Sequence, residues 1–303
     1  MTAKLSAKLS FNPEALFDNL LVSSPNGGGL FALRGGQVQH LDGLSSTGLA
    51  LRGSTLVRGL QPADWVIYDN DPAAAFTSVA AGIHCADIHD VLWVDDGFLM
   101  VSTDHNEVVR VSPDLRPVQR WGFAGELDSL HINCLARWGG DVVFSAFGQF
   151  AERRAYKGAS AGAGFVQALD GAEPIITGLS QPHSLKPWGA DLLLADSETR
   201  SIALFDRQGR EKRRKLLDGY TRGIAIGHQA LFVGLSASRT PDPGGLACAT
   251  VVALDLHSWE ELGRIALPAR EIYEVLQVPA GVDTAALVAR MAAVKINPYI
   301  YYE

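Results

Sequence analysis

The sequence predicts an all-β fold, a six-bladed β-propeller that forms a single domain over residues 1–303. Three observations support this prediction. Short β-prone runs bounded by Gly, Asp, Asn or Pro recur along the chain, they group in units of four, and the units repeat at intervals close to the length of a propeller blade, about 40–50 residues.

The strand runs come in pairs. Apolar runs typical of buried strands occupy residues 98–102, 141–145, 191–195 and 230–234. Each follows a run that opens with polar residues and becomes apolar, and two further strand-like runs follow each pair. The unit is therefore a four-stranded sheet, the blade of a propeller.

Aligning the first strands gives one equivalent position in each unit. These positions are Thr47, His89, His131, His183, Arg222 and Tyr273, and their spacings are 42, 42, 52, 39 and 51 residues. Six such positions predict six blades.

The two ends of the chain complete one blade between them. The last unit has only its first strand, over residues 272–278, whereas residues 20–23, 29–33 and 38–41 have the patterns of second, third and fourth strands. A one-plus-three closure would pair these segments and protect the sheet edges, so the blades cover about residues 20–280.

Two segments lie outside the repeats. Residues 12–19 are typical of a short helix that begins at Asn12. Residues 281–303 predict a C-terminal surface helix over 283–294 and an aromatic tail over 297–302. The tail either folds back on the propeller, or forms a homodimer contact or a lid.

Composition narrows the partners and the location. The net charge of −7 argues against a nucleic-acid partner, and 47% apolar with 19% charged residues indicates a folded globular protein. No apolar run approaches the roughly 20 residues of a membrane span, and the N-terminus lacks a signal-peptide pattern, so we expect no membrane association. Three cysteines suit reduced thiols, which predicts a cytoplasmic protein.

Three successive blades carry histidine at the position that lines the central channel of a propeller. His89, His131 and His183 are three of only 8 histidines in the chain. Three neutral imidazoles can hold a divalent transition metal, Zn, Fe, Mn, Co or Cu, with positions left open for substrate. The alternative is a polar plug in which these rings bond one another, the backbone and channel water.

Other channel positions supply candidate substrate contacts and proton-transfer groups. Arg222 is a candidate anion clamp, unless it pairs internally with Glu271 or Asp87. Tyr273 is a candidate proton donor, unless it only packs. Thr47 and Asn133 are further candidate substrate contacts.

Asp87 and Glu271 stand two residues before channel positions, on the same strand face. Each is a candidate catalytic group for proton transfer. Each could also be a fourth metal ligand, a partner that orients an imidazole, or a solvated acid at the rim of a blade.

Several phrases of the sequence resemble, in order, a bacterial family of conserved hypothetical six-bladed propeller proteins catalogued as a domain of unknown function. The most specific phrases are Pro182-His183-Ser184, Thr221-Arg222-Gly223 and Val233-Gly234-Leu235-Ser236, and the resemblance covers roughly residues 80–281. It supports the importance of the histidines, Arg222 and Glu271 but implies no activity. More loosely, the chain is similar to metal-dependent propeller enzymes, the peptidyl-hydroxyglycine lyases and the gluconolactonase group.

Two functional hypotheses follow. The first is a metal-dependent enzyme that acts on a small anionic metabolite in the channel by lyase, hydrolase or oxidative chemistry. The second is a non-catalytic propeller that binds a partner protein or a ligand, with a purely structural channel.

Overall fold

The structure is a computed structural model that describes residues 16–53, 55–61, 66–68, 77–79, 85–113, 116–238, 245–279, 281–283, 285–287 and 289. Within these ranges the secondary structure is almost entirely β, in six four-stranded antiparallel sheets. The prediction of an all-β fold is confirmed.

The strands follow one another in chain order. The sheet at the chain ends contains β1 (Leu20–Ser24), β2 (Gly29–Arg34) and β3 (Gln37–Asp42). The next contains β4 (Ser46–Arg52), β5 (Thr55–Leu60), β6 (Val66–Tyr68) and β7 (Thr77–Val79). It is followed by β8 (Ile88–Val94), β9 (Gly97–Ser102), β10 (Glu107–Val111) and β11 (Pro117–Gly122).

The remaining strands repeat this order. One sheet contains β12 (Ile132–Trp138), β13 (Asp141–Ala146), β14 (Gly164–Ala168) and β15 (Pro174–Leu179). The next contains β16 (Pro182–Trp188), β17 (Asp191–Asp196), β18 (Ser201–Phe205) and β19 (Glu211–Leu216). The last continuous sheet contains β20 (Tyr220–Ile226), β21 (Ala230–Ser236), β22 (Thr250–Asp255) and β23 (Glu261–Ala266), and β24 (Val275–Gln277) pairs with β1.

The six sheets are not equivalent, and the prediction of a six-bladed propeller is wrong. Five sheets consist of consecutive strands whose innermost member has seven residues, and these are the blades of a five-blade ring. The sixth sheet is a composite of both chain ends, and its innermost strand β24 has only three residues. We call it the closing sheet.

The short β24 has a local cause. The backbone N–H of Glu274 donates to the hydroxyl of Ser23 at 3.0 Å, and the carbonyl of Ser23 accepts from the N–H of Tyr273 at 2.8 Å, so the pairing continues irregularly and the regular ladder begins only at Val275. The predicted first strand over 272–278 is shorter for this reason. From Val275 onward the pairing of the chain ends is as predicted, with Leu20 opposite Gln277 and Val22 opposite Val275.

A β-bulge recurs in the innermost strand of every blade. The register shifts between Ile88 and Val91 in β8, and between His183 and Lys186 in β16, with the same irregularity in β4, β12 and β20. A bulge bends a strand and re-aims its side chains. The repeated bulge therefore directs the residues at the start of each inner strand toward a common point.

The apolar core lies between neighbouring sheets. Clusters such as Leu193, Ile202, Leu231 and Trp259 are almost fully buried because both faces of most strands are covered. This rigid frame holds the inner strands in place.

The chain ends are described in part. Residues 285–287 and 289 are helical, and Leu287 is buried against Leu21 and Leu30 of the closing sheet, so the predicted short C-terminal helix is present. The aromatic tail, the dimer contact assigned to it and most of the predicted helix over 12–19 lie outside the described residues. Over the described ranges, the helical segments are too short to cross a membrane.

Candidate functional site in the channel pocket

The starts of the inner strands surround a cavity of about 430 Å³, which we call the channel pocket. Six of the predicted site residues line it, namely Asp87, His89, His131, His183, Arg222 and Tyr273. The repeat alignment therefore located a real convergence of polar side chains.

His131 is oriented by a buried carboxylate. Its Nδ1 lies 2.7 Å from Oδ1 of Asp128, whose side chain is fully buried, while the His131 side chain keeps 13% of its surface exposed to the pocket. Both residues adopt left-handed backbone angles, φ 50° for His131 and 52° for Asp128. This uncommon conformation for non-glycine residues turns the carboxylate beneath the ring.

Asp128 is held by three side chains at once. Besides His131, it accepts hydrogen bonds from Nε of Arg154 at 2.6 Å and from the Tyr156 hydroxyl at 3.1 Å. Burial tends to raise the pKa of Asp128, but these hydrogen bonds bring it below its usual value. The carboxylate is therefore ionised at neutral pH. Because an ionised carboxylate can only accept a hydrogen bond, Nδ1 of His131 carries the ring proton.

The other two histidines are also bonded through Nδ1. That of His89 lies 2.9 Å from the carbonyl oxygen of Asp87, and that of His183 lies 2.9 Å from the carbonyl of Gln181 and 2.8 Å from the Ser197 hydroxyl. A carbonyl can only accept, so Nδ1 donates and Nε2 carries the lone pair in both rings.

Burial keeps His131 and His183 neutral. It lowers the pKa of His131 from 6.5 to about 4, an effect that Asp128 offsets only in part. Burial, followed by the nearby guanidinium of Arg222, lowers the pKa of His183 well below its usual value. At neutral pH the pocket therefore presents imidazoles that can accept a proton.

The three imidazoles are suitable ligands for a metal ion, but their positions in the pocket are not those of a metal site. Nδ1 atoms fixed by protein acceptors would leave Nε2 for a metal. His89 and His131 meet edge to face with centroids 4.8 Å apart, but Phe147 packs against both His131 (4.2 Å) and His183 (5.4 Å). In the described part of the chain, no group of three or more His, Cys, Asp or Glu side chains is arranged to hold a metal.

Cationic groups face the pocket beside the histidines. Arg154, Lys157 and Arg222 all line it. Arg222 contacts Oε2 of Glu271 at 3.1 Å, and Glu271 also accepts from the Asn26 side-chain amide at 3.0 Å. Nε of Arg222 is buried and has no hydrogen-bond partner among the described residues. An anion would supply the missing acceptor.

Asp87 and Glu271 take different positions. Asp87 lines the channel pocket and accepts from the side-chain amide of Gln61 at 2.7 Å. Glu271 lies deeper, with 9% of its side chain exposed, and lines an adjacent smaller cavity. Only Asp87 borders the same space as His131.

Three of the predicted residues have mainly structural contacts, namely Tyr273, Asn133 and Thr47. The Tyr273 hydroxyl donates to the buried side-chain oxygen of Asn133, and burial raises the pKa of Tyr273 well above its usual value. The Thr47 hydroxyl donates to the carbonyl of Ile88 at 2.5 Å and is fully buried. These contacts favour support of the pocket wall over direct contact with a ligand.

Several pocket residues were not predicted from the sequence. Asp128, Phe147, Arg154, Tyr156 and Lys157 line the pocket, and four of them belong to the segment between β13 and β14. The sequence contains one signal of this segment, because the interval from His131 to His183 is 52 residues and the two before it are 42.

Comparison with known proteins identifies a family and a fold. Residues 75–287 match the family described as "Domain of unknown function (DUF4915)", which is more than half of the chain. The resemblance to a propeller family of unknown function is confirmed at this level. No match was found among curated proteins.

Solved structures with diverse functions share the fold. The chain is similar to streptogramin B lyase (11% identity, TM-score 0.51, 74% of this chain and 69% of that chain). It is also similar to the calcium-binding protein regucalcin from Agrobacterium tumefaciens strain C58 (13%, 0.53, 75% and 76%). A chain of a nidogen/laminin complex matches as well (11%, 0.63, 84% and 96%). At such low identity these similarities show the fold alone.

Proposed function

Because the chain belongs to the DUF4915 family, a domain of unknown function, we propose from its own site that it is an enzyme performing acid–base catalysis on a small anionic metabolite in the channel pocket. The observation that carries this proposal is the pair of His131 and Asp128, a neutral imidazole held at 2.7 Å by a buried carboxylate. Streptogramin B lyase, by its name, shows that this fold can host lyase chemistry.

The electrostatics support an anionic substrate. Three cationic side chains border the pocket, those of Arg154, Lys157 and Arg222. Arg154 and Arg222 each lie at hydrogen-bond distance from a carboxylate, whereas Lys157 has no such partner among the described side chains. An anion beside these groups would also sit near His131. Since a nearby negative charge favours a protonated imidazole, the bound anion raises the pKa of His131 and makes it a stronger base.

Proton transfer follows from these contacts. Nε2 of His131 takes a proton from the substrate or from water, while Nδ1–H stays bonded to Asp128, which stabilises the resulting imidazolium. If the proton comes from the carbon beside a carboxylate and a leaving group departs from the next carbon with its bonding electrons, the reaction is that of a lyase. If the proton comes from water, the hydroxide adds to a carbonyl or phosphoryl group and the imidazolium returns the proton to the leaving group, which is the reaction of a hydrolase. The identity of the substrate decides between lyase and hydrolase chemistry.

A metal centre on His89, His131 and His183 is a second candidate, favoured by the three Nδ1 contacts; binding through Nε2 of His89 would displace the Gln61 amide, which lies 3.4 Å from it. A bound divalent metal would supply Lewis-acid polarisation of the substrate. Elemental analysis of purified protein tests it. One equivalent of Zn, Fe, Mn, Co or Cu, lost on replacing all three histidines, would support the metal centre.

The acid–base proposal is tested by incubating the protein with small carboxylates and phosphates and using NMR to detect their conversion. His131→Asn and Asp128→Asn should each lower kcat/KM by about 10²–10⁴-fold. His257→Asn, the same substitution at an exposed histidine, is the matched control and should leave the rate unchanged. Anions that bind in the pocket without any conversion would instead support the non-catalytic binding propeller.

A further inference from the structure

Arg222 stands at the boundary of two cavities. It lines the channel pocket of about 430 Å³ and also a cavity of about 210 Å³, which we call the side pocket. Gln181 is the other residue common to both linings. A ligand group held by Arg222 would therefore be next to both spaces.

The wall around Arg222 is fixed by hydrogen bonds. The Gln181 side chain accepts from the Tyr220 hydroxyl at 2.6 Å and donates to the Ser160 hydroxyl at 2.9 Å. Glu271 holds Arg222 through Nη1 at 3.1 Å. The guanidinium is thus oriented in advance, which lowers the entropy lost when it binds an anion.

Arg222 lacks an acceptor that a ligand could provide. Its Nε is buried without a hydrogen-bond partner among the described residues, although the side chain as a whole is 12% exposed. Leaving a buried charged donor unpaired is unfavourable, and a carboxylate can accept two parallel hydrogen bonds from a guanidinium.

The side pocket has room for a substituent. Besides Arg222 and Glu271, its lining includes Tyr220, Ser236, Ala237 and Ser238, a mixture of one aromatic ring, a methyl group and hydroxyls. At about 30 Å³ per water molecule, a volume of 210 Å³ corresponds to roughly seven water-sized groups.

We propose that the ligand is a 2-substituted carboxylic acid whose carboxylate is held by Arg222, with its substituent in the side pocket and its α-carbon toward the histidines. The α-carbon would then be the branch point of the ligand, because it carries both the carboxylate held at the boundary and the substituent that enters the side pocket. This inference rests on the proposed function, because it takes the channel pocket as the place of reaction.

The test measures the binding of glycolate, 2-hydroxyhexanoate and 3-phenyllactate by calorimetry. Each methylene buried in the side pocket is worth about a fourfold gain in affinity, so 2-hydroxyhexanoate should bind at least tenfold more tightly than glycolate. Ala237→Leu fills the side pocket and should remove this gain while glycolate still binds. If Ala237→Leu does not fold, Ser238→Leu replaces it in the test, because Ser238 also lines the side pocket but is only half-buried.

Controls separate this inference from the proposed function. Ala266→Leu, the same substitution at an exposed strand end, should bind all three acids as the wild type does. Arg222→Gln should weaken every acid. If glycolate binds equally to wild type and Arg222→Gln, the anion site itself is wrong. If glycolate depends on Arg222 but chain length has no effect, only the side-pocket inference is overturned.

Discussion

Neighbouring residues on the same inner strands form two layers with different chemistry. His89, His183 and Tyr273 face the channel pocket, whereas the residues that follow them, Asp90, Ser184 and Glu274, are buried between sheets. One step along the strand thus separates a layer that meets a ligand from a layer that joins the sheets.

The buried layer uses its oxygens to connect blades. Asp90 in β8 accepts from the backbone N–H of Leu135 in β12 at 2.7 Å, and Ser184 in β16 accepts from Ile224 in β20 at 2.8 Å. Glycine makes room for such contacts, since a Cβ on Gly48 would lie 2.5 Å from Oδ1 of Asp90. In the pocket layer, by contrast, the rings form their hydrogen bonds to the protein through Nδ1, and Nε2 of His89 also lies 3.4 Å from the side-chain amide of Gln61. The type of residue does not show whether a polar side chain connects sheets or faces the pocket; its hydrogen-bond partners do.

The largest effect is expected in the buried layer. Lys186 lies 3.1 Å from Glu274, whose side chain is 4% exposed. Lys186→Met leaves that carboxylate buried and unpaired, so the free energy of unfolding should fall by about 3–5 kcal/mol in urea titrations. Adding Glu274→Gln should recover much of the loss. His131→Asn should cost no more than about 1 kcal/mol, and equal losses in both layers would contradict the comparison.

The two layers should respond to pH in opposite directions. Burial, and then Glu274, raise the pKa of Asp90 from 3.8 to about 7, so Asp90 contributes stability that is present below pH 4 and is lost as pH rises to 7. The pKa of His131 falls from 6.5 to about 4, so its contribution is present above pH 6.5 and is lost toward pH 4.

Two variants separate these slopes in unfolding measurements between pH 4 and 8. Relative to wild type, Asp90→Asn should gain up to about 4 kcal/mol as pH rises through this window. His131→Asn should lose up to about 3 kcal/mol over the same rise, so that its cost of about 1 kcal/mol at pH 7 becomes a gain of about 2 kcal/mol near pH 4. Parallel curves for all three proteins would mean that neither group titrates as its surroundings indicate.

A smaller effect is expected for the anion clamp. Arg222→Gln should weaken carboxylate binding by about 1.5–3 kcal/mol, roughly ten- to a hundredfold, because a charge-assisted contact is lost. Arg222→Lys keeps the charge without the planar fork and should recover only part of the affinity. Equal affinity in titrations of all three proteins would show that Arg222 serves only as the ion-pair partner of Glu271.

The sequence predicted the features that repeat along the chain. Strand patterns and equivalent positions brought His89, His131, His183 and Arg222 to one pocket, because a bulged inner strand has the same course in each blade. The predicted number of blades was wrong where the repeat ends, in the sheet that the two chain ends share, whose innermost strand β24 has only three residues.

The rest of the site depends on contacts outside the repeat. Arg154 and Tyr156 come from a connecting segment whose path no periodic pattern encodes. Asp128 was missed because strand alternation places residues two apart on one face, whereas the left-handed φ at Asp128 and His131 pairs residues three apart. Phe147, which packs against two histidines, was likewise not predicted, because it does not lie at one of the equivalent positions of the repeat.

The most direct test of the central claim is nitrogen-15 NMR of the His131 ring across the pH range. The account predicts a neutral ring at pH 7 with the proton on Nδ1 and a pKa of about 4. It also predicts a rise of that pKa when glycolate is added, because the bound anion favours the imidazolium. A ring protonated on Nε2, or one that titrates at its ordinary value with no response to glycolate, would contradict a general base in the channel pocket.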